Sequence, residues 1–153
     1  MSKIPLRLFA VALLALVLGG CHGGSNVISV GLKYELVQIE READGSAQVT
    51  WRIVNPNIVP YLVAETEHRI TLNGTTIGTT KQDGPIGVPA QQNVERTTKL
   101  KVAGASGEQA IRAALAAGSA SYALDSTITI RLYEEMIDRS KLTNTGTVKV
   151  TAK

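Results

Sequence analysis

Leu62-Val63-Ala64-Glu65-Thr66-Glu67-His68-Arg69-Ile70-Thr71-Leu72-Asn73-Gly74-Thr75-Thr76-Ile77-Gly78-Thr79-Thr80 alternates with a period of two on both sides of Asn73-Gly74. Leu62, Ala64, Thr66, His68, Ile70 and Leu72 fall on one face, with Glu65, Glu67, Arg69 and Thr71 on the other. That is the pattern of a strand with one wet side. Asn-Gly between two such runs predicts a type I′ hairpin, in which both central residues take positive φ.

The same period governs most of the chain on either side. Upstream, Val27 to Glu42 forms a strand candidate with Leu32, Tyr34, Leu36 and Val37–Ile39 as inward choices. Ala43-Asp44-Gly45-Ser46 then predicts a turn, and Ala47 to Asn55 a second strand with Val49, Trp51 and Ile53 inward. Trp51, the single tryptophan, is placed as a core anchor. Downstream, a loop carrying Pro85 and Pro89 precedes a strand from Val94 to Val102, and further strands run over Tyr122–Leu132 and Thr147–Thr151. One stretch changes period. Gly107 to Ala117 places Ala110, Ile111, Ala114 and Leu115 on a helical stripe, with Ser106 and Gln109 at capping-box spacing and Gly118 as the C′ residue. About seven strands with short turns and one short helix predict a mainly β sandwich.

The amino-terminal residues are of another kind. Lys3 and Arg7 precede an apolar run from Leu8 to Leu18 of 11 residues, and Gly19-Gly20-Cys21 follows. This is a signal-peptide layout. Eleven residues are too few to cross about 30 Å of hydrocarbon, which takes about 20 helical residues, so the run is read as cleaved. Small residues before a cysteine resemble the bacterial lipobox, in which the thiol receives a diacylglyceryl group and the new amino terminus is acylated. The resemblance implies residues 1–20 as signal peptide and Cys21 as the lipidation site, with several acyl chains making a durable membrane anchor. The competing reading is an ordinary secretory signal with a coincidental cysteine. His22, in place of aspartate after the cysteine, implies by the same resemblance sorting to the outer membrane, facing the periplasm, where a cell has two membranes. Residues 21–26 then comprise the lipidated cysteine and a Gly/Ser tether, and 27–153 a single domain.

Once residues 1–20 are removed, Lys3 and Arg7 leave the count, and 14 basic residues stand against 13 acidic ones, a net +1. Near-neutral charge with one Trp and one Phe argues against a nucleic-acid surface. Cys21 is the sole cysteine, so no disulfide is available and the fold must rest on its core. No catalytic site is expected. Of two histidines, His22 lies in the tether and His68 falls in phase with Ile70 and Leu72, as a hydrogen-bonded strand histidine would. No Gly-x-Ser-x-Gly elbow accompanies it, and no His/Cys cluster or Walker-type phosphate loop occurs. Glu134, Glu135 and Asp138 lack the spaced loop of a calcium site and read as a solvated loop. No metal and no cofactor is expected.

Val54-Asn55-Pro56-Asn57, Tyr61, the Ile70-to-Gly78 hairpin around Asn73-Gly74, Val88-Pro89-Ala90 and Tyr122-Ala123-Leu124 together resemble the water stress and hypersensitive response (WHy) domain of group 2 late embryogenesis abundant proteins. The likeness covers roughly Val27 to Lys153 and departs after the late tyrosine, where the family often has a glycine and this chain has Asp125-Ser126. It implies an immunoglobulin-like or fibronectin type III-like sandwich with one helix. It also implies a non-enzymatic protein that protects against desiccation, freezing or osmotic stress. Asn55-Pro56-Asn57 is read as structural, a segment that turns the chain out of a strand. The partners expected are a membrane through lipid on Cys21 and transient protein clients. The alternative is an accessory lipoprotein that docks an envelope complex by strand addition or a loop face. A third option is an apolar ligand cavity between the sheets.

Overall fold

The computed structural model describes residues 31–132 and 136–153. Cys21, the tether, the first residues of the expected opening strand, and Glu134 and Glu135 lie outside the described residues. Seven strands and one helix follow in the order β1 (Lys33–Arg41), β2 (Ala47–Val54), β3 (Tyr61–Leu72), β4 (Thr75–Val88), β5 (Asn93–Val102), α1 (Gly104–Ala117), β6 (Ser119–Leu132) and β7 (Met136–Ala152). The described chain is thus mainly β with a single short helix.

The expected two separate sheets are joined into a closed barrel in the order β1-β2-β5-β4-β3-β6-β7. Two short seams make the closure. β7 runs parallel to β1 over Gln38–Arg41, and β4 meets β5 only at Gly78–Val102 and Thr79–Lys101. Gly78 permits the second seam, because a Cβ there would fall on the Lys101 backbone carbonyl. The long antiparallel ladders, β1–β2–β5 on one side and β4–β3–β6–β7 on the other, carry the rest of the pairing. Period-two patterning sets which face of each strand is buried, but it holds no information on whether sheet edges meet.

The Asn-Gly turn forms as the spacing predicts, with φ of 46° at Asn73 and 83° at Gly74. Other expectations need correction. In β3 the register shifts between Val63 and Glu65, so Val63 is buried and Leu62 turns out to solvent, while Thr66, His68, Ile70 and Leu72 keep the inward phase. A second shift between Leu36 and Gln38 puts Tyr34 and Leu36, then Ile39, into the core. The expected Pro85 loop is strand: β4 continues to Val88, burying Ile86 and Val88. Pro85 stands opposite the β3 shift, on a stretch of β4 whose other edge has no ladder partner, where a missing N–H costs little. β7 begins at Met136, well before the expected Thr147, because β6 offers a partner along its whole length. Asp138, expected in a loop, is therefore on a strand and accepts a hydrogen bond from Ser140 Oγ (3.0 Å). The helix starts at Gly104 with Ala103 as N-cap and no side-chain cap, so the Ser106–Gln109 capping box does not form. Its other end is as expected: Gly118, left-handed at φ 75°, donates its N–H to Leu115 O.

The barrel has two ends. At one lie the point where the described chain enters, the β2–β3 loop (55–60) and the β4–β5 loop (89–92). At the other lie the β1–β2 turn, the Asn73-Gly74 hairpin, α1 and the carboxyl terminus. Helix α1 crosses this second end against β4 and β7, burying Gly107, Ile111 and Ala114. Gly107 is needed because a Cβ would lie 2.7 Å from Ile77 O. Between the ends, Trp51, Tyr34, Ile53, Ile70, Ile128 and Ile130 are among the side chains that fill the core.

Candidate functional site

Asn55 closes β2 and is itself buried, which an amide tolerates only when hydrogen-bonded. Its Nδ2 donates to the carbonyl oxygens of Val59 (2.9 Å), Pro89 (3.0 Å) and Val88 (3.4 Å). Its Oδ1 accepts from the Asn57 backbone N–H (3.0 Å) and from Asn57 Nδ2 (3.1 Å). The Asn55 backbone N–H donates to Gln92 O, and Gln91 N–H, at a left-handed residue, donates to Asn57 O, each at 2.9 Å. One side chain thus ties the β2–β3 loop to the β4–β5 loop. Pro56 and Pro60 bracket the segment, and Tyr61, half-buried at the start of β3, packs on the core. The consequence is a fixed tip with apolar side chains outside: Ile58 is 83% exposed and Val59 49%, with Leu62 at 40% beside them.

Asn73 joins the hairpin to β6. Its backbone N–H donates to Ser121 O (2.9 Å) and its Oδ1 accepts from Ser121 N–H (3.1 Å). Next along β6, Tyr122 is buried opposite Leu72 and Gly146, where a Cβ at Gly146 would come within 2.9 Å of the Tyr122 ring. β6 passes through Asp125-Ser126 with no register shift against either neighbour.

His68 sits at the centre of the barrel, fully buried, with Nδ1 and Ser126 Oγ sharing a 2.8 Å hydrogen bond. Its ring packs edge-on to Trp51 at 4.6 Å between centroids and against Tyr34 at 5.3 Å. Trp51 Nε1 donates to Thr98 Oγ1 (3.0 Å), and Thr80 Oγ1 bonds both Thr98 Oγ1 (2.7 Å) and Lys99 O (2.9 Å). His68 Nε2, Tyr34 Oη and Thr66 Oγ1 are buried with no hydrogen-bond partner among the described residues. Burial holds His68 neutral by pushing its pKa down to about 3, and pushes that of the Tyr34 hydroxyl up. A serine and a histidine are therefore adjacent, yet both are sealed in the core and no carboxylate orients the ring, so the pair is not arranged for attack on a substrate. Sequence reading placed His68 inward but missed Ser126, Thr80 and Thr98 as its polar surroundings. The available signal was that Ser or Thr occupies in-phase positions on β4, β5 and β6.

Most charged groups lie at the surface, with Arg41 and Arg52 partly buried. Lys81 pairs with Glu65 (2.5 Å) and Asp83 (2.9 Å), and those hydrogen bonds raise its pKa. Arg41 and Arg112 bind Glu108 and hold its carboxyl below the usual range. No group of His, Cys, Asp and Glu side chains capable of holding a metal occurs among the described residues, and no helix there is long and apolar enough to cross a membrane.

No protein-family model and no curated protein matches the chain. Solved structures do. The Arabidopsis thaliana protein AT1g01470 is 18% identical, with a TM-score of 0.51 over 79% of this chain and 80% of that one. A candidate late embryogenesis abundant (LEA) protein, also of Arabidopsis, is 10% identical, with a TM-score of 0.51 over 95% of this chain and 86% of that one. At these identities the likeness is one of fold, and the fold is one that a protein of LEA type also adopts.

Proposed function

We propose that the chain is a non-enzymatic, lipid-anchored envelope protein of the LEA group 2 type, which limits damage to neighbouring molecules during drying, freezing or osmotic stress. The observation that carries this reading is the fold shared with a candidate LEA protein along 95% of the chain. The Asn55-Pro56-Asn57 and Asn73-Gly74 motifs support it from the sequence. Cys21, after Leu18-Gly19-Gly20, would carry the lipid, and His22 favours an outer-membrane address facing the periplasm. The domain then acts by transient surface contacts with client proteins, with a near-neutral net charge that favours no single class of charged partner. No cofactor and no nucleic acid enters this mechanism.

The test places the acylated product, which begins at Cys21, in vesicles with a freeze-sensitive enzyme. Activity recovered after freezing or drying is compared with that given by equal masses of an unrelated lipidated β domain and of albumin. Recovery well above both is expected. Recovery equal to the controls would overturn protection as the function.

A second reading, an accessory lipoprotein docking an envelope complex, is favoured by one observation. Beyond Thr79 and Lys101 the facing edges of β4 and β5 have no ladder partners among the described residues, an opening for strand addition. Lys81, Asp83, Glu95 and Lys99 along those edges weigh against it, since charges blunt a free edge. Crosslinking in the native envelope separates the readings: one partner at fixed stoichiometry supports docking, and a diffuse set supports protection.

A further inference from the structure

We propose that the Ile58–Val59–Pro60 tip, with Leu62 beside it, inserts into the membrane leaflet to which Cys21 tethers the chain. The inference rests on the anchored reading above and adds to it an orientation and a second point of membrane contact.

Three observations converge on a lipid surface as the occupant. The first is composition: from Asn55 to Val63 no residue carries a charge at neutral pH, and Ile58, Val59 and Leu62 are the large apolar side chains most exposed among the described residues. The second is backbone chemistry. An inserted loop must bring few unpaired polar groups with it. Pro56 and Pro60 have no N–H, Asn57 N–H and Val59 C=O are both bonded to the Asn55 side chain, and Asn57 C=O is bonded to Gln91 N–H. The tip is held in shape before it meets the membrane, so little ordering remains to be done on contact. The third is where the chain enters. Gly31 lies against this loop, with a Cβ built on it 3.1 Å from Asn57 Oδ1. Cys21 and Gly31 are ten positions apart in the sequence, and a Gly/Ser-rich linker of ten residues spans on the order of 18 Å. A lipid on Cys21 therefore delivers this end of the barrel, and not the hairpin and helix end, to the bilayer. Two or three side chains reaching about 5–10 Å into the headgroup and acyl boundary suit a domain already tethered.

The full chain is produced in a bacterium that acylates lipoproteins, and Cys21 acylation is read by mass spectrometry. Val59→Cys then supplies a free thiol for an environment-sensitive fluorophore, with Thr75→Cys at the opposite end as control. The acylated chains are placed in phosphatidylethanolamine/phosphatidylglycerol vesicles carrying spin-labelled lipid. Emission at position 59 is expected to shift to the blue and to be quenched at least threefold more than at position 75. Adding Ile58→Ser is expected to reduce that quenching severalfold. A membrane-bound chain with equal quenching at 59 and 75 overturns the insertion and leaves the anchor standing. A chain without acyl groups on Cys21 overturns the anchor and the insertion together.

Discussion

The two ends of the barrel are built from different materials. Where the chain enters, loop 55–60 is uncharged, presents Ile58 and Val59 to solvent, and is held by the buried amide of Asn55. At the opposite end Arg41 pairs with Glu108, Arg112 with Glu108 (3.3 Å) and Lys153 with Glu42 (3.8 Å), and close backbone packing at Gly78 and Gly107 does the structural holding. The Arg112–Glu108 and Lys153–Glu42 pairs each have one exposed partner and are worth about 0–1 kcal/mol, so this end owes its stability mainly to packing, with Arg41–Glu108 the one pair of the three in which both side chains are largely buried. Loop 55–60 gains nothing in stability from its exposed apolar tip. A feature that does not stabilise the fold, placed beside the point where the described chain enters, points to something the fold meets outside itself.

His68 lies between the two ends and tests whether they form one unit. Its folded-state pKa of about 3 is below its ordinary 6.5, so the unfolded chain binds the extra proton and stability is lost as pH falls. The contribution is complete above pH 6.5 and declines by up to roughly 5 kcal/mol toward pH 3. Urea unfolding at a series of pH values should show this slope with both ends unfolding together. Exchanging His68→Leu with Ser126→Ala should flatten it. Persistence of the slope in that double variant would place the acid-sensitive group elsewhere.

Asn55→Ala would break the apolar end selectively. It strands the buried Val88 carbonyl, at about 1–3 kcal/mol, and removes the part-buried bonds to Asn57 N–H and to the Val59 and Pro89 carbonyls, each worth about 0.5–1 kcal/mol, for a total of about 3 kcal/mol. Amide exchange should accelerate first in loops 55–60 and 89–92. Faster exchange at the hairpin instead would show that the loops are not held by Asn55. Gly78→Ala strikes the other end, forcing a Cβ onto the Lys101 carbonyl and opening the β4–β5 seam for about 3 kcal/mol. Thermal unfolding should fall accordingly while position 59 still contacts the membrane. Ile58→Ser is the smallest change, within about 0.5 kcal/mol on stability because the side chain is exposed. A large loss of stability would mean that Ile58 packs against the protein and is not free for lipid.

The sequence made the strands legible wherever alternation was unbroken. Trp51, Ile70, Leu124 and Val148 fall on the buried face that their period assigns, and Asn73-Gly74 names its own turn. It failed where one residue shifts the phase. Nothing local distinguishes Leu62 from Val63, and only pairing across β3 and β4 decides which goes in. β7 from Met136 to Gly146 was illegible for a similar reason: Asp138-Arg139-Ser140-Lys141 has no strand signature and is recruited by the edge of β6. Barrel closure rests on contacts distant in sequence, such as Gly78 with Val102 and Ile39 with Val150, which no window of residues contains. At the candidate site, Asn55-Pro56-Asn57 was visible as a motif. The exposure of Ile58 and Val59 followed only once Asn55 was seen to bond inward and fix the tip outward.

Amide hydrogen exchange on the acylated chain from Cys21 in vesicles, and on unacylated residues 22–153 in aqueous solution, compares the two ends directly. Slower exchange on the membrane confined to residues 55–62 and 89–92, with turn 42–46, hairpin 73–74 and helix 104–117 unchanged, is the result expected. Protection at the hairpin and helix end, or none at either, would contradict the orientation on which the account depends.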